Sequence, residues 1–457
     1  MHLETKHYVT ARQFSGRLLL ATAALTLAGC GVTQRPVVSA INPVGPAGQP
    51  QKFAVAISSN PGQQGLVSIV DFSGDTILDT TLIGRDPQYL MLDSSGTMGY
   101  TLNGDGTLNS FNISTNLQAN QVLQSTLLPG ANPLALLVGG LNLYVAQSGR
   151  NSVAQLQAVG GGPPAIQQEL RTGQGTVYTV GIANAPRAYA IVQGTAGTVG
   201  TVAGIEVATN TLSSSIPVGV NPVYGVMTAD TRRAFILNKG SNTVSVVNAQ
   251  SNALDNFSAA PVQAGTIPVG VAPVWADLAP TLSELVVANA GDGIHPGSVT
   301  IINIPLCSAT TVTSNPTCDP ANPVDAVGFG QVLATVPVGI NPVMVAVMQD
   351  GSRAYVANAG NAATPGVPAT PGSISVINLT TNTVTATIPA AASLNPADAV
   401  VHGHPGFISV TTGTPTGKAY VTAPDSLDLT IIRTDLDTVS THLSLQGNGV
   451  QVRVTAP

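Results

Sequence analysis

Charge is what this chain of 457 residues has least of: Asp, Glu, Lys and Arg together make up 8%, against roughly 25% in an ordinary soluble protein. Solubility must then rest on Thr, Ser, Asn and Gln. Basic residues are too sparse to grip a phosphate backbone, so nucleic acid is excluded as a partner. Aromatics are 4%, with Trp275 the single Trp, which argues against a stacking platform for bases or sugars. The three cysteines form no CxxCH or CxxC, and GxSxG elbows and phosphate loops are missing too. No cofactor is expected.

What is abundant is punctuation, with 48 Gly and 33 Pro. The length exceeds the ~250 to 300 residues at which a single core stops growing, yet no shift in composition marks a second domain, so a repeat architecture is expected.

The first 29 residues differ from the rest. Lys6, Arg12 and Arg17 precede the apolar run Leu18 to Ala28, which ends in Leu27-Ala28-Gly29-Cys30. A basic start, a short apolar stretch and small residues before a cleavage point describe a secretory signal, too short to span a bilayer. The LAGC ending resembles the lipobox of bacterial lipoproteins. That resemblance implies that residues 1–29 are removed and that Cys30 carries lipid. The protein would then be tethered to a membrane without crossing it. Gly31 in place of Asp points by the same resemblance to the outer membrane of the cell envelope. Losing Lys6, Arg12, Arg17 and Glu4 leaves 13 basic and 21 acidic residues, a net charge of −8. Residues 30–52, rich in Pro and Gly, read as a flexible tether. In an oxidising compartment the remaining pair, Cys307 and Cys318, reads as a disulfide closing a loop.

From Val336 to Ile388 four β-type runs follow one another with tight turns. Val343 to Val347 is apolar, AYVAN (354–358) follows Asp350-Gly351, SISVIN (373–378) alternates, and Thr383 to Ile388 alternates Thr with apolar residues. We label these strands a, b, c and d. One such meander cannot bury both its faces, so copies must stack. Turn anchors recur at Asp86-Pro87, Asn132-Pro133, Asn221-Pro222, Ala272-Pro273, Asn341-Pro342 and Asn395-Pro396, with a copy lacking Pro near Val177-Tyr178. Four strands every 45 or so residues is the pattern of propeller blades.

These copies resemble the YVTN-type β-propeller repeat family, with its PVGxxP, AYVxN and NTVSVI segments. The resemblance covers residues 53–457 and implies an all-β propeller of four-stranded antiparallel blades. Seven anchors open seven blades. Phe53 to Ser58, Leu66 to Phe72 and Thr76 to Ile83 supply b, c and d of another, whose strand a comes from Val450, Val452 and Val454 at the other end of the chain. Eight blades are expected, closed by strands from both termini, with seven as the fallback.

Candidate site residues are few. Connectors from d to a and hairpins from b to c share one face, which would present Asn221, Asn341, Asn395, Asn361, Asp292 and His295 as binding-loop residues. His402 and His404 form an HxH pair with metal-ligand chemistry, but Pro405-Gly406 beside them favours solvent-facing histidines at a turn, on the opposite face. Strand a offers mostly aliphatic residues, with Asp277 and Asp398 as isolated acids. Two functions follow. The first is a non-enzymatic, lipid-anchored scaffold recognising a protein or envelope component. The alternative is a periplasmic enzyme or metal-binding accessory, lactonase- or oxidoreductase-like, that uses the propeller channel.

Overall fold

The computed structural model describes residues 52–158, 161–255, 265–305, 328–393, 395–411 and 417–455. Cys30, Cys307 and Cys318 lie outside them, as do the residues expected to form the signal and the tether, apart from Lys52. Among the described residues the regular structure is β, apart from one 3-10 turn at Ala119–Gln121.

Strands pair only with their neighbours in the meander, giving eight sheets. From inside outward, blade 2 runs Pro87–Leu92, Met98–Asn103, Thr107–Asn112 and Leu123–Thr126, and blade 3 runs Pro133–Gly139, Asn142–Gln147, Ser152–Gln157 and Ala165–Arg171. Blade 4 is Thr176–Val180, Arg187–Val192, Val199–Glu206 and Thr211–Val220. Blade 5 is Pro222–Met227, Arg233–Asn238 and Thr243–Asn248, with an outer strand split into Ala253–Leu254 and Thr266–Pro268. Blade 6 is Pro273–Ala279, Glu284–Asn289, Pro296–Asn303 and Val332–Ile340, and blade 7 is Pro342–Val347, Arg353–Asn358, Ser373–Asn378 and Thr383–Ala391. Blade 8 is Phe407–Thr411, Lys418–Thr422, Asp428–Arg433 and Thr438–Ser444. Blade 1 takes Phe53–Ser59, Gln64–Asp71 and Thr76–Arg85 from one end of the chain and its inner strand, Asn448–Val454, from the other. Ala56 pairs with Val452 and Ile57 with Gln451, so the expected closure holds. The protein is an eight-bladed β-propeller.

The core is a ring of contacts between blades. Val55, Ile57 and Ile69 of blade 1 meet Leu90 and Phe111 of blade 2. Comparable apolar layers join every later pair, ending in one cluster that runs from Met344 through Tyr420 to Val452 and so joins blades 7, 8 and 1. Burying each Val, Leu or Ile contributes about 1.5 to 3 kcal/mol, and the strands are apolar on both sides because each sheet has a neighbour on both faces.

The repeated motif residues are the joints of this ring. The last Asn of strand b is buried and donates from Nδ2 to hydroxyls of strand c. Asn358 reaches Ser373 Oγ at 3.1 Å and Ser375 Oγ at 3.0 Å, and Asn238 reaches Thr243 Oγ1 at 3.1 Å and Ser245 Oγ at 3.0 Å. A glycine of strand d packs against that Asn: a Cβ on Gly339 would stand 2.7 Å from Asn358 Cγ. The Tyr of AYV crosses to the next blade, where Tyr144 Oη donates to Asn210 Oδ1 at 2.6 Å and Tyr189 Oη to Asn252 Oδ1 at 3.3 Å.

Blade 8 departs from expectation. Asn395-Pro396 does not open its inner strand; it lies in an insertion whose Val401–His402 pairs parallel with Ala390 and Ala391. Pro405 takes the anchor role instead, lying against Gly372 as Pro342 lies against Gly297. His402 and His404 therefore precede strand a and sit on the same face as the b-to-c hairpins, not the opposite one.

Candidate functional site

The inner strands line a central channel. Before those of blades 2, 3, 5, 6 and 7, the anchor residue adopts a left-handed backbone, with φ of 52° at Asp86, 42° at Asn132, 50° at Asn221, 55° at Ala272 and 54° at Asn341. Asn and Asp tolerate that region best. The register then slips by one between the Pro and the second residue after it, in blades 2, 3, 5, 6 and 7. Such a bulge re-aims the side chain that follows. The position it re-aims holds Tyr89, Tyr224 and Trp275, and pairing with strand b puts Tyr178 and Phe407 at the same level of blades 4 and 8.

These five rings form one chain of contacts. Tyr89 and Tyr178 meet edge to face at 6.5 Å, with their hydroxyls 3.2 Å apart. Tyr178 packs on Tyr224 at 4.8 Å, Tyr224 stacks on Trp275 at 4.1 Å, and Trp275 meets Phe407 edge to face at 5.6 Å. Aromatic pairs of this kind contribute about 0.5 to 1.5 kcal/mol beyond burial. Burial pushes the phenols of Tyr178 and Tyr224 well above their ordinary value.

Two residues further along, the same strands place Arg453 of blade 1 and Asp277 of blade 6 in the channel. Arg453 lays its guanidinium over Phe407, 5.0 Å from the ring centre, and donates from Nε to the Leu90 carbonyl at 3.4 Å. Asp277 accepts backbone N–H bonds from Val347 at 2.8 Å and from Leu278 at 2.9 Å. Burial nevertheless pushes its carboxyl up to about 6, against the pull of those bonds and of Arg453. Asp398, expected like Asp277 as an isolated acid on an inner strand, is in the blade 8 insertion, accepting from Ser393 Oγ and from Asn395 Nδ2.

The HxH pair does not converge. His402 is buried rather than solvent-facing: Nδ1 lies 2.7 Å from Asp428 Oδ2, and the ring stacks on His442 at 3.6 Å. His442 in turn contacts the carbonyls of Pro396 at 3.2 Å and Val400 at 2.9 Å, tying the insertion to blade 8. His404 is partly exposed, with Nδ1 2.6 Å from Asp425 Oδ2. Among the described residues no three His, Cys, Asp or Glu are grouped to hold a metal.

The loop residues take turn geometry. Asn221 and Asn341 are anchors, and Asn395 accepts from Ala397 N–H within the insertion. Asn361 bridges Thr370 to build a small exposed hairpin above blade 7. Asp292 accepts from the backbone and ring of His295, which hold its carboxyl well below the usual range.

Set against protein-family models and curated sequences, the chain matches none. Solved structures do resemble it. The dihydro-haem d1 dehydrogenase NirN superposes with a TM-score of 0.59 at 14% identity, over 88% of this chain and 75% of that one. AztD of Citrobacter koseri gives 0.57 at 11% identity, over 88% and 97%. A putative 6-phosphogluconolactonase of Bacteroides fragilis gives 0.51 at 14%, over 75% and 95%. At these identities the likeness shows the fold alone.

Sequence reasoning missed the aromatic belt and Arg453. The signal for the belt was present in Pro87-Gln88-Tyr89, Pro222-Val223-Tyr224 and Pro273-Val274-Trp275, a ring two residues after each anchor Pro. Low aromatic content concealed it, because the fold gathers at one level rings that are scattered along the chain.

Proposed function

We propose that this chain is an exported, lipid-anchored propeller of the YVTN-repeat type that works as a non-enzymatic interaction scaffold in the bacterial cell envelope. The observation that carries this reading is the inner strands: Tyr89, Tyr178, Tyr224, Trp275 and Phe407 line one level of the channel with rings, and a single acid and a single base stand on those strands in place of a cluster of catalytic groups. Recognition of a macromolecular partner then falls to the loops of the face that carries the anchors, where the Asn361–Thr370 hairpin and the insertion before blade 8 stand out from the repeat. The LAGC ending at Cys30 supports the lipid anchor, and Gly31 an outer-membrane address.

Two measurements test this. A lipid-alkyne label should enter the wild-type chain and move it to the membrane fraction, and Cys30→Ala should abolish both. A photo-crosslinking residue at Asn361 should yield a discrete adduct in envelope preparations, whereas one at Leu436, exposed on the opposite face, should not. Equal labelling from both faces would remove the case for a dedicated binding face.

The second reading, a periplasmic enzyme or metal-binding accessory, draws on Asp277 and Arg453, the one acid and the one base on the inner strands. Stoichiometric metal in the purified protein would favour it.

A further inference from the structure

Arg453 is an unusual residue to find near the axis of a chain this poor in charge. Its guanidinium is backed by Phe407 and its Nε donates to the Leu90 carbonyl, and among the described residues no group accepts from either Nη. The side chain is half-buried. Its charge is felt by Tyr178, Tyr224 and Asp277, which belong to blades 4, 5 and 6, across the channel from blade 1. Arg453 and Asp277 share the channel without forming an ion pair, since the ion pairs among the described residues are elsewhere. Trp275, Tyr178 and Tyr224 are also half-buried, so solvent reaches this level.

A guanidinium with its plane stacked on a ring and its outer edge free presents two parallel N–H donors. Their geometry matches the two oxygens of a carboxylate, and a partly desolvated site strengthens such charge-assisted bonds. The surrounding rings offer apolar and edge-on contact to a flat molecule. We propose that the channel is a binding site for a small, flat carboxylate anion, held by the Nη edge of Arg453 with Phe407 behind it and the aromatic belt beside it. Asp277 opposes the ligand's charge and so keeps affinity modest.

Trp275, the only Trp, touches Phe407, so its fluorescence reports occupancy. The experiment titrates the purified protein with benzoate, with the isosteric neutral benzamide and with chloride. The expected result is a saturable change with benzoate and neither control. Arg453→Met should weaken it more than about tenfold and Arg453→Lys, which keeps charge but loses the fork, by a smaller factor. Asp277→Asn should tighten it several-fold. Circular dichroism and melting curves establish that each variant is folded. No saturable change in the folded wild type, an equal response to benzamide, or binding unaltered in a folded Arg453→Met variant would each overturn the proposal. None of these outcomes bears on Cys30 lipidation or on crosslinking from Asn361, so this site and the scaffold reading stand or fall separately.

Discussion

Lys418 Nζ, in the last blade, lies 2.6 Å from Asp75 Oδ1, in the first. The same ammonium donates to the Phe72 carbonyl and sits 4.9 Å from the Phe72 ring centre. It is a polar clasp at the seam between blade 8 and blade 1, the sheet that the chain's two ends share. Burial raises the Asp75 carboxyl, and the Lys418 bond and charge only partly offset that, so the pair depends on its cation. Lys418→Met is expected to cost about 3 kcal/mol in denaturant unfolding, because it leaves a largely buried carboxylate without its cation. Adding Asp75→Leu should recover most of that loss; a double variant as unstable as the single one would show that the pair is not the origin of the effect.

The neighbouring joint is built differently, which allows an internal comparison. Tyr355 of blade 7 donates its hydroxyl to Asp437 of blade 8, and Arg353 adds two bonds to the same carboxylate at 2.8 and 2.9 Å. At the seam Lys418 holds the acidic residue, and the equivalent Tyr420 hydroxyl is buried with no partner among the described residues. Tyr355→Phe is expected to destabilise by about 1.5 to 3 kcal/mol, the worth of a hydrogen bond to a charged group. Tyr420→Phe should be neutral or slightly stabilising. Unfolding midpoints of the two variants, measured side by side, check the asymmetry.

The repeat made the architecture legible. Asn-Pro anchors set strand a, Asp350-Gly351 and its counterparts set the a-to-b turns, and the lone Val450-Val452-Val454 run disclosed both the blade count and its closure. Blade 8 departs from the pattern because Asn395-Pro396 carries the anchor letters without the packing: only contact with Gly372 identifies Pro405 as the anchor. The placement of the histidines follows from that departure. The channel was hidden for another reason, since which side chain enters it depends on a one-residue register slip that sequence alternation does not express.

Gly339 and Asn358 explain why the repeat pairs a glycine in strand d with an asparagine ending strand b. A methyl on Gly339 would meet Asn358 Cγ and Ser373 Oγ, each at 2.7 Å, a distance Cβ atoms do not tolerate. Gly339→Ala should therefore cost about 1 to 3 kcal/mol by overpacking. Asn358→Ala should also destabilise, by leaving the Ser373 and Ser375 hydroxyls without their donor. Made together they should cost less than their sum, because the second change removes Asn358 Cγ, one of the atoms the first collides with. Strict additivity in the double-mutant cycle would disprove the steric account.

Asp277 makes stability depend on pH in a direction opposite to that of most carboxylates. Its folded value of about 6 stands above the ordinary 3.8, so the folded state holds a proton that the unfolded chain releases between those values. The favourable contribution is complete below pH 3.8 and is lost as pH rises through about 6. A shift of about two units corresponds to at most about 3 kcal/mol. Asp277→Asn keeps an oxygen for one of the two backbone donors and removes the charge, so it should be close to wild type at pH 4 and more stable than wild type at pH 7.5. The difference between the two proteins, followed by urea unfolding at half-unit steps, should open between pH 4 and 6 and then level off. A gap that stays constant across that range would mean that the carboxyl titrates alike in both states and that the channel does not desolvate it.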